Sequence, residues 1–399
     1  MTDFYDFIII GAGIAGIKAA EGIRSLDNAA SILIINGEDE LPYKRTRLSK
    51  TISTNFDPSA FSIHPAGWYQ SLNIRLVNDN VLSVSLETKT IKTFWHGITG
   101  FGKLIFANGS RPCPLKLRGD AREDVNYLRN AADVRNLLAV AENASKILIV
   151  GGGVLGVEMA ASMIALGKSV TLVHSDTSLV NHHFDDYFSS QIYTLLQSNG
   201  VQIILHERLK SLTKTGSTKI LAEVGEMIHM LCDLVIVTAG VEPETELAKA
   251  AGIRCEKGIL VNDLLATSHP DVFAAGDVAQ TSFGEPSGLW HEAEYQGWTA
   301  GRNAAGDRML LSNKTFRLKM EVFGQYFFSM NFGKVATDRE NLLFEHDSKK
   351  WRFMFSEEKL TAALMINDSG NAKLIEQAVN EGWTREKIAG ILEPYRISG

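Results

Sequence analysis

The sequence is poor in cysteine, in long apolar runs and in positive charge. Its three cysteines, Cys113, Cys232 and Cys255, lie far apart and form no CxxC pair, which favours a reducing, cytoplasmic setting. The longest apolar stretch covers residues 7–17, well short of the roughly 20 residues of a membrane span. The net charge of −6 gives no general case for nucleic-acid binding. We therefore expect a cytoplasmic protein with no membrane span and no nucleic-acid partner.

Size and composition indicate an ordinary globular protein of more than one domain. A chain of 399 residues is long enough for two or three domains with substantial cores. Its hydrophobic content of 45% and charged content of 22% are typical of such proteins. The first six residues contain no lysine or arginine, whereas a signal peptide begins with a basic region, so we expect no signal peptide here.

Two glycine-rich loops are present, each directly after a short apolar run. The first is Gly11-Ala12-Gly13-Ile14-Ala15-Gly16, and the second is Gly151-Gly152-Gly153-Val154-Leu155-Gly156. In such a loop the first glycine permits a tight turn, the second lets the backbone approach a pyrophosphate, and the third allows close packing of helix on strand. The helix that follows offers N–H groups and its positive dipole end to the phosphates. Two loops in strand–helix context predict two dinucleotides held face to face, which suits hydride transfer from a nicotinamide to a flavin.

The loops belong to an internal repeat that predicts an α/β fold. Residues 6–35 and 146–173 both have the pattern strand, glycine-rich turn, helix, strand. The predicted helices cover 14–24 and 154–166, and the second strands cover 31–35 and 169–173. Further along we expect a helix at 185–199 ended by Gly200, and strands at 201–205 and 231–238. The chain therefore contains two Rossmann-like units.

A third signature comes late, where Thr267-Ser268-His269-Pro270-Asp271-Val272-Phe273-Ala274-Ala275-Gly276-Asp277 ends in Gly-Asp. By type it belongs with the first loop, although it follows the second. We therefore expect a discontinuous first domain at 1–112 and 241–309, with the second domain, 113–240, inserted into it. Beyond residue 310, strands within 316–332, at 351–355 and at 360–366, and helices at 372–381 and 385–392, predict a small α+β C-terminal domain covering 310–399.

A carboxylate usually follows the second strand of such a unit and holds the hydroxyls of the adenosine ribose. After the first unit the candidates are Glu38, Asp39 and Glu40. The second unit ends in Val173-His174-Ser175-Asp176, with no arginine there to meet the 2′-phosphate of NADPH. NADH is therefore favoured and NADPH stays possible. His174 is either a nucleotide contact or a surface histidine at the end of a strand.

Four further segments carry specific motifs: 42–50 (PYKRTRLSK), 104–112 (LIFANGSRP), 267–279, and 289–301 (LWHEAEYQGWTAG). Together with the two loops they resemble the flavoprotein pyridine-nucleotide oxidoreductases of the glutathione-reductase-like fold. The first segment is similar to that family's PY-x-R-x-x-LSK, the second to its LVLATGSRP strand, and the third to its flavin ribityl signature. The fourth looks like a helix of the NADH:rubredoxin reductases. Over about residues 4–335 the chain resembles these enzymes and the flavin portion of NADH-dependent nitrite reductase most closely.

The resemblance implies FAD in the first domain, NADH or NADPH in the second, and roles for individual residues. Lys50 and Arg45 would lie along the FAD, with Lys50 near the isoalloxazine. Glu158 would pair with Lys50 and touch the nicotinamide, and these two are the implied catalytic residues. Asp277 would accept hydrogen bonds from the ribityl hydroxyls. The alternative for Lys50 and Glu158 is a surface ion pair or no contact at all.

The helix beginning near His291 would direct its N-terminus at the flavin N1/O2 edge, where negative charge collects on reduction. Trp290 there is either a cofactor contact or only packing. The complete set of implied cofactor-binding residues is Gly11, Gly13, Ile14, Ala15, Gly16, Glu38, Arg45, Lys50, Ala107, Asn108, Gly109, Arg111, Gly151, Gly153, Val154, Leu155, Gly156, Glu158, His174, Gly240, Gly276, Asp277, Trp290 and Ala293.

Three positions depart from the family pattern. Gly37 stands where the ribose-binding acid aligns, so that Glu38 comes one place late. Asn108 replaces a usual threonine, a change that we expect to be tolerated. Glu242 stands where the family often has arginine.

Cysteine chemistry and a metal site are not expected. Disulfide reductases and peroxidases on this fold need a thiolate against the isoalloxazine, and the segment 41–50 has no cysteine. The three cysteines are predicted to be small structural residues. The adjacent pair His182-His183 lacks ligand partners at metal-binding spacing, and neighbours on a helix do not face one another.

Three functions stay open. The first is an FAD-dependent NAD(P)H oxidoreductase that passes electrons singly to a small redox protein such as rubredoxin. The second is the reductase component of a nitrite-reducing system, which would need a separate haem–iron–sulfur partner. The third is a nucleotide-binding redox sensor or interaction protein. The oligomeric state is left open, as is whether the aromatic C-terminal strands form an interface or only a core.

Overall fold

The computed structural model describes residues 3–216, 219–333 and 340–396. The α-helices in this part of the chain are α1 (Ile14–Arg24), α2 (Leu48–Thr51), α3 (Ala66–Ser71), α4 (Ala131–Asn143), α5 (Val154–Ala165), α6 (Asp186–Ser198), α7 (Glu246–Ala250), α8 (Trp290–Ala304), α9 (Ala372–Glu381) and α10 (Arg385–Arg396).

The β-strands of the same residues are β1 (Asp3–Ile10), β2 (Ile32–Asn36), β3 (Ile74–Asn78), β4 (Val81–Ser85), β5 (Thr90–Thr93), β6 (Gly97–Phe106), β7 (Ser110–Pro112), β8 (Val125–Asn126), β9 (Lys146–Val150), β10 (Ser169–Val173), β11 (Gln202–Ile204), β12 (Leu209–Thr215), β13 (Lys219–Val224), β14 (Ile228–Cys232), β15 (Leu234–Val237), β16 (Val241–Pro243), β17 (Ile259–Leu260), β18 (Val272–Ala274), β19 (Ala279–Gln280), β20 (Arg317–Val322), β21 (Gln325–Met330), β22 (Glu340–His346), β23 (Lys349–Ser356) and β24 (Lys359–Ile366).

The largest sheet joins residues that are far apart in sequence. Its strand order is β3-β2-β1-β6-β5-β4, and β18 also pairs with β6. Strands β1, β2, β3, β6 and β18 are mutually parallel, whereas β4 and β5 run antiparallel as an appended hairpin. The pairing of Val272 with Leu104 places the late Gly-Asp signature at the carboxyl end of this sheet, beside the first glycine loop.

A second parallel sheet has the order β11-β10-β9-β15-β8 and carries the second glycine loop after β9. The strand predicted at 231–238 is wrong as a single element. Leu231 belongs to the antiparallel sheet β12-β13-β14 and is exposed, whereas Leu234–Val237 is fully buried in the parallel sheet. The change of sheet occurs at Asp233, whose carboxylate accepts hydrogen bonds from the N–H groups of Ser145 and Lys146 at 2.9 Å.

Helices α1 and α8 pack backbone against backbone, which fixes where their N-termini lie. A Cβ atom on Gly297 would come within 2.2 Å of the Ala15 carbonyl oxygen, and one on Gly301 within 2.0 Å of the Ala19 oxygen. Glycine is the residue that leaves room for such an approach. Because the helices lie in direct contact, the positive ends of both open into the same cleft.

The C-terminal segment forms an antiparallel sheet of order β20-β21-β24-β23-β22, covered by α9 and α10. The aromatic segment predicted at 316–332 is a hairpin, turned at Phe323 and Gly324, both with positive φ. Met320, Val322 and Phe327 of the hairpin join the core of the second Rossmann-like unit, whereas Phe328 and Met330 pack against α9 and α10. Arg352 of β23 pairs with Asp185 at 2.9 Å. The domain predicted at 310–399 includes residues 334–339 and 397–399, which lie outside the described residues.

The predicted α/β class with two Rossmann-like units is confirmed. The helices predicted at 14–24 and 372–381 and the strand at 169–173 have the predicted bounds, and most others differ by one or two residues at an end. The helix predicted at 385–392 extends to Arg396, and strand β22 was not predicted. Among the described residues, no helix combines the length and the apolarity needed to cross a bilayer.

Candidate active site

One continuous cleft of about 1670 Å³ runs between the two Rossmann-like units and the C-terminal sheet. Both glycine loops line it, as do the first turn of α8 and strand β20. Of the predicted site residues, those that line the cleft are Gly11, Gly13, Ile14, Ala15, Glu38, Arg45, Lys50, Ala107, Asn108, Gly109, Gly151, Gly153, Val154, Leu155, Glu158, His174, Gly240, Asp277, Trp290 and Ala293. Gly16, Arg111, Gly156 and Gly276 do not line it.

The two loops have the geometry that a dinucleotide pyrophosphate needs. Gly11 and Gly151 have φ values of +104° and +114°, a conformation that favours glycine. No atom lies within 4 Å of a Cβ built on Gly13 or on Gly153, so the backbone there is open to an incoming phosphate. Both residues cap a helix N-terminus, where free N–H groups attract anions. The cleft therefore fits one dinucleotide at each loop.

The third glycine of each loop packs against the protein instead of the cleft. A Cβ on Gly16 would lie 2.0 Å from the Gly11 carbonyl oxygen, and one on Gly156 would lie 1.8 Å from the Gly151 oxygen. These contacts explain why neither residue lines the cavity. They agree with the packing role that the third glycine has in such loops.

The late Gly-Asp turn is fixed by α8. The Gly276 N–H donates a hydrogen bond of 2.8 Å to Gln296 Oε1, and Gly276 has a positive φ of +77°. Asp277, the next residue, extends into the cleft. There its carboxylate accepts hydrogen bonds of 3.1 Å from Ser110 Oγ and from Arg129 Nη2.

Lys50 and Glu158 meet at the point where the two units face each other. Lys50 Nζ lies 3.4 Å from Glu158 Oε1, and the Glu158 side chain is only 9% exposed. Ser49 Oγ donates a hydrogen bond of 2.5 Å to the other carboxylate oxygen. Burial raises the pKa of Glu158, although Lys50, Ser49 and the N–H of Glu321 oppose that rise. The structure thus excludes the alternative in which these two side chains make no contact.

Glu38 is already held by two groups of the first unit. Its carboxylate accepts hydrogen bonds from Tyr43 OH at 2.5 Å and from Arg45. Tyr43 OH in turn accepts from the N–H of Ala131 at 2.9 Å, and Arg45 Nη1 donates to the carbonyl of Arg129 at 2.8 Å. Burial raises the pKa of the Tyr43 hydroxyl, so the hydroxyl stays protonated and remains a donor to Glu38.

His174 lies beneath the second loop and is not a surface residue. The N–H of Gly152 donates to His174 Nδ1 at 3.1 Å, and the imidazole side chain is 11% exposed. Burial lowers the pKa of His174, so the ring is neutral and Nδ1 acts as the acceptor. Asp176 follows, held by a 3.1 Å hydrogen bond from Asn181 Nδ2.

Arg111 is directed away from the cleft. Its guanidinium pairs with Glu242 at 2.8 Å and with Glu246 at 2.7 Å, all three side chains being well exposed. Glu242, the position where the family pattern has arginine, is thereby a partner of Arg111. Arg111 was predicted to contact the cofactor, but in the structure it belongs to an exposed ion-pair network instead. Asn108 is in the cleft wall and donates to the carbonyl of Glu244 at 2.7 Å.

None of the three cysteines lines the cleft. Cys232 is buried between the sheets of the second unit, and burial raises the pKa of its thiol to about 12. Burial also raises the pKa values of Cys113 and Cys255. In the part of the chain that the structure describes, no group of histidine, cysteine and acidic residues is arranged to hold a metal ion.

Some lining residues were not predicted from the sequence. Arg129 contacts Asp277 and lies in a connector without any motif. Arg208 lines the cleft near Asp176, whereas the sequence pattern placed no arginine there, because Arg208 is brought in from a different loop. Lys319 and Glu321 come from strand β20 of the C-terminal sheet. Only the position of that sheet over the cleft identifies them.

Sequence comparison relates the chain to a family of known proteins. The profile of the pyridine nucleotide-disulphide oxidoreductase family matches residues 5–297. The NADH-rubredoxin oxidoreductase of Clostridium acetobutylicum is 27% identical over 387 residues, covering 96% of this chain and 97% of that protein. The rubredoxin-NAD(+) reductase of Ectopseudomonas oleovorans is 30% identical over 276 residues, covering 68% of this chain and 71% of that protein.

Other relatives are longer than this chain. The nitrite reductase [NAD(P)H] of Bacillus subtilis is 29% identical over 293 residues, but the match covers only 36% of that protein. The assimilatory nitrate reductase electron transfer subunit of the same organism is also matched over 36% of its length. The chain thus spans about a third of the length of these Bacillus relatives.

Solved structures show the same architecture. The crystal structure of NADH:rubredoxin oxidoreductase from Clostridium acetobutylicum superposes with a TM-score of 0.77 at 26% identity and covers 96% of each chain. The ferredoxin reductase for the CYP199A2 system of Rhodopseudomonas palustris gives 0.84 at 24% identity over 91% of each chain. The chain therefore belongs to the pyridine nucleotide-disulphide oxidoreductase family, as an oxidoreductase whose cofactors are FAD and NAD(P)H.

Proposed function

We propose that this chain takes hydride from NADH and passes the electrons singly to a small redox protein such as rubredoxin, with no cysteine in the path. The observation that carries the proposal is that one cleft is lined by both glycine loops and by the Lys50–Glu158 pair but by none of the three cysteines. When bound, the flavin supplies the conversion between a two-electron hydride donor and a one-electron acceptor.

The chain's own residues bind and orient the two dinucleotides. The N-termini of α1 and α5 offer N–H groups to the pyrophosphates, and Asp277 offers a carboxylate to hydroxyl groups of the FAD. Lys50 supplies a positive charge where negative charge develops. Glu158, buried beside it, holds the Lys50 ammonium in place.

Rubredoxin is favoured as the acceptor by the length of the match. The Clostridium acetobutylicum relative corresponds to this chain from end to end, C-terminal segment included. The match to the nitrite reductase of Bacillus subtilis covers 72% of this chain and 36% of that protein. Strand β20 lines the cleft, so the C-terminal segment belongs to the site. A relative that also has this segment is therefore a better guide to the electron acceptor than one that lacks it.

NADH is favoured as the donor by the acid at the end of β10. The Asp176 carboxylate lines the cleft and accepts a hydrogen bond from Asn181. A carboxylate at this place pairs with ribose hydroxyls and repels a 2′-phosphate. Arg208 and His182 also line this end of the cleft. We therefore expect the protein to use NADPH as well, although less efficiently than NADH.

The division into domains stays a proposal, with 1–112 and 241–309 binding FAD, 113–240 binding NADH, and 310–399 forming the C-terminal domain. It is supported by the pairing of β18 with β6 and by the backbone contact of α8 with α1. A cytoplasmic location is part of the same proposal, because three cysteines with raised pKa values and no disulfide suit a reducing compartment.

The deciding experiment is anaerobic stopped-flow on the purified yellow protein. NADH should bleach the flavin faster than NADPH does, and rubredoxin should reoxidise it faster than a [2Fe–2S] ferredoxin or a small disulfide. The variant with Cys113→Ser, Cys232→Ala and Cys255→Ser should retain both rates. A loss of flavin reoxidation in that variant, with its FAD content unchanged, would show that a thiol lies in the electron path.

Two other outcomes identify the rival functions. Reoxidation that is fastest with a haem–iron–sulfur nitrite-reducing partner would assign the chain to a nitrite-reducing system, which the identity to the Bacillus subtilis relatives keeps as a second candidate. A protein that binds FAD but is not bleached by NADH, and does not reduce ferricyanide, would be a nucleotide-binding sensor.

A further inference from the structure

A second, smaller cavity of about 440 Å³ lies behind one wall of the cofactor cleft. Helices α1 and α8 and the C-terminal segment form its walls, and it is widely open to solvent. His291, Glu294 and Arg317 line both this outer cavity and the cleft. Their side chains therefore form the partition between the two spaces.

Within this partition, His291 and Glu294 form a hydrogen-bonded pair on the first two turns of α8. His291 Nδ1 lies 2.6 Å from Glu294 Oε2, and each side chain is 30% exposed. The carboxylate is an acceptor, so Nδ1 carries the hydrogen of this bond. Nε2 is then the atom at which the ring gains or loses a proton. It makes no hydrogen bond with any described residue.

The charged groups around the pair are otherwise engaged with one another. Glu21 of α1 is bound by Lys18 at 2.7 Å and by His64 at 2.8 Å, and Arg317 of β20 is paired with Glu376 of α9. Glu294 is therefore the carboxylate paired with His291, and it also accepts a hydrogen bond from the Trp290 side chain. The ionisable and charged groups that face His291 from the packed elements are Lys18, Glu21, His64, Glu294, Arg317 and Glu376.

Two electrostatic features lie beside His291, the Glu294 carboxylate and the N-terminus of α8. Burial raises the pKa of Glu294, but the hydrogen bond from His291 and the charges of His291 and Lys18 outweigh it, so that its pKa lies below the ordinary value. Glu294 is thus ionised and favours the imidazolium form of its partner. The positive end of α8, a helix of 15 residues, disfavours that form. Negative charge that is added to the cleft would also favour a cation at His291.

We propose that His291 takes up a proton when the cofactor in the cleft gains negative charge by hydride reduction and releases it on reoxidation, with the outer cavity as the route to water. The proposal rests on the proposed function, because it needs a flavin beside the N-terminus of α8. Glu294 is a positioning residue that orients the ring and favours its charged form.

The step balances in atoms and electrons. Hydride from NADH brings two electrons and one hydrogen nucleus, and once NAD+ has left, one negative charge remains in the cleft. A proton from water in the outer cavity forms an N–H bond at His291 Nε2, so one NADH and one proton are consumed per flavin. When two one-electron acceptors remove the electrons, that N–H bond breaks and its proton returns to water. The hydrogen delivered as hydride leaves as a second proton.

The test measures proton uptake and potential in the FAD-loaded protein. Dithionite and NADH are each added anaerobically, uptake is followed with a pH indicator in weakly buffered solution, and midpoint potentials are recorded from pH 6 to pH 8. His291→Gln should lose the linked proton, which reduces the slope of potential against pH by about 30 mV per pH unit, the value of a tenfold change for a two-electron couple. His229→Gln, an exposed histidine on β14, is the matched control and should behave as the parent.

Glu294→Gln provides a second and independent test, the pH at which proton uptake has its inflection. Without the carboxylate the imidazolium is less favoured, so the inflection in proton uptake should move to lower pH while FAD stays bound. If His291→Gln keeps the parent slope and uptake, the proposal is overturned. If that variant does not retain FAD, an unchanged inflection in Glu294→Gln overturns it instead. Failure of NADH to reduce the parent protein would refute the proposed function alone, because the dithionite titrations still test His291.

Discussion

Replacing Lys50 by methionine removes the cation of the buried pair while nearly keeping the side-chain volume. Lys50 Nζ is 3.4 Å from Glu158 Oε1, and Glu158 is almost fully enclosed. In the variant, the carboxylate keeps the hydrogen bond from Ser49 Oγ but loses the neutralising charge. We expect a less stable protein at neutral and higher pH, and slower reduction of the flavin by NADH.

The size of the stability loss follows from the distance and the burial of the two groups. At 3.4 Å the Coulomb energy is about 5 kcal/mol at an effective dielectric constant of about 20. The desolvation of both charges offsets part of that energy, and breaking a buried pair typically costs about 3–5 kcal/mol. Lys50 keeps 20% of its exposure and Ser49 still serves the carboxylate. We therefore expect a loss near the lower limit, about 2–3 kcal/mol in the free energy of unfolding.

The sign of the pH dependence distinguishes this cause from a general loss of packing. Burial raises the pKa of Glu158 above its ordinary value of 4.5. A carboxyl group with a raised folded-state pKa stabilises the fold fully below its unfolded-state pKa, and that contribution is lost as the pH rises through the folded-state value. Removing Lys50 raises the folded-state pKa further. The deficit of the variant should therefore be small at pH 5 and largest at pH 8.

Urea unfolding of the parent, Lys50→Met, Glu158→Gln and the double variant at both pH values measures the coupling between the two groups. Lys92→Met, an exposed lysine on β5, is the control and should change stability by less than about 0.5 kcal/mol. An equal deficit of Lys50→Met at pH 5 and pH 8, or no rescue by Glu158→Gln, would refute the electrostatic reasoning. An unchanged rate of flavin reduction by NADH would refute the proposed role of Lys50.

Three further predictions concern other parts of the site. Gly13→Ala should leave the apoprotein as stable as the parent but abolish FAD retention, because its Cβ meets only the open cleft. Gly301→Ala should lower the unfolding temperature, because its Cβ would lie 2.0 Å from a backbone oxygen of α1. Thermal unfolding with and without FAD distinguishes the two effects. Asp176→Ala should reduce the preference for NADH over NADPH in steady-state kcat/KM by about tenfold, and an unchanged ratio would show that the carboxylate does not contact the ribose. Asp79→Asn should lower the free energy of unfolding by about 2 kcal/mol at pH 7, since the buried Asp79 carboxylate accepts hydrogen bonds from the N–H groups of Trp95 and His96. Such bonds lower the pKa of Asp79 despite its burial, so the loss of stability in chemical unfolding should shrink as the pH falls below 3.8. A loss that grows on acidification would contradict this account.

Local patterns in the sequence were sufficient to predict the nucleotide-binding loops. Each loop lies within a strand–turn–helix unit of about thirty residues, and the conformations that it needs are set by its own glycines. Gly11 and Gly151 with positive φ, and Gly13 and Gly153 facing open space, bear this out. Where a prediction depended on which sheet an apolar run joins, the sequence was insufficient. Five of the eight residues in 231–238 are leucine, valine or isoleucine, yet the segment divides between two sheets.

The same distinction holds for the side chains of the site. The Lys50–Glu158 contact followed from a family resemblance and is present at 3.4 Å, but the sequence placed Arg111 in the cleft when it instead pairs with Glu242. The direction in which a long side chain extends depends on the partners that the fold brings near it. Such partners come from distant segments and leave no pattern of spacing.

By itself, therefore, the amino-acid sequence determined the α/β class, the two phosphate-binding turns and the absence of cysteine from the segment after the first unit. Only the tertiary structure decided that His174 supports Gly152, that Arg129 reaches Asp277, and that strand β20 closes the cleft. The physical reason is the distance along the sequence between the residues that interact. A turn or a helix start is fixed by steric and hydrogen-bonding rules within a few residues, whereas a contact across the cleft depends on how three sheets pack together.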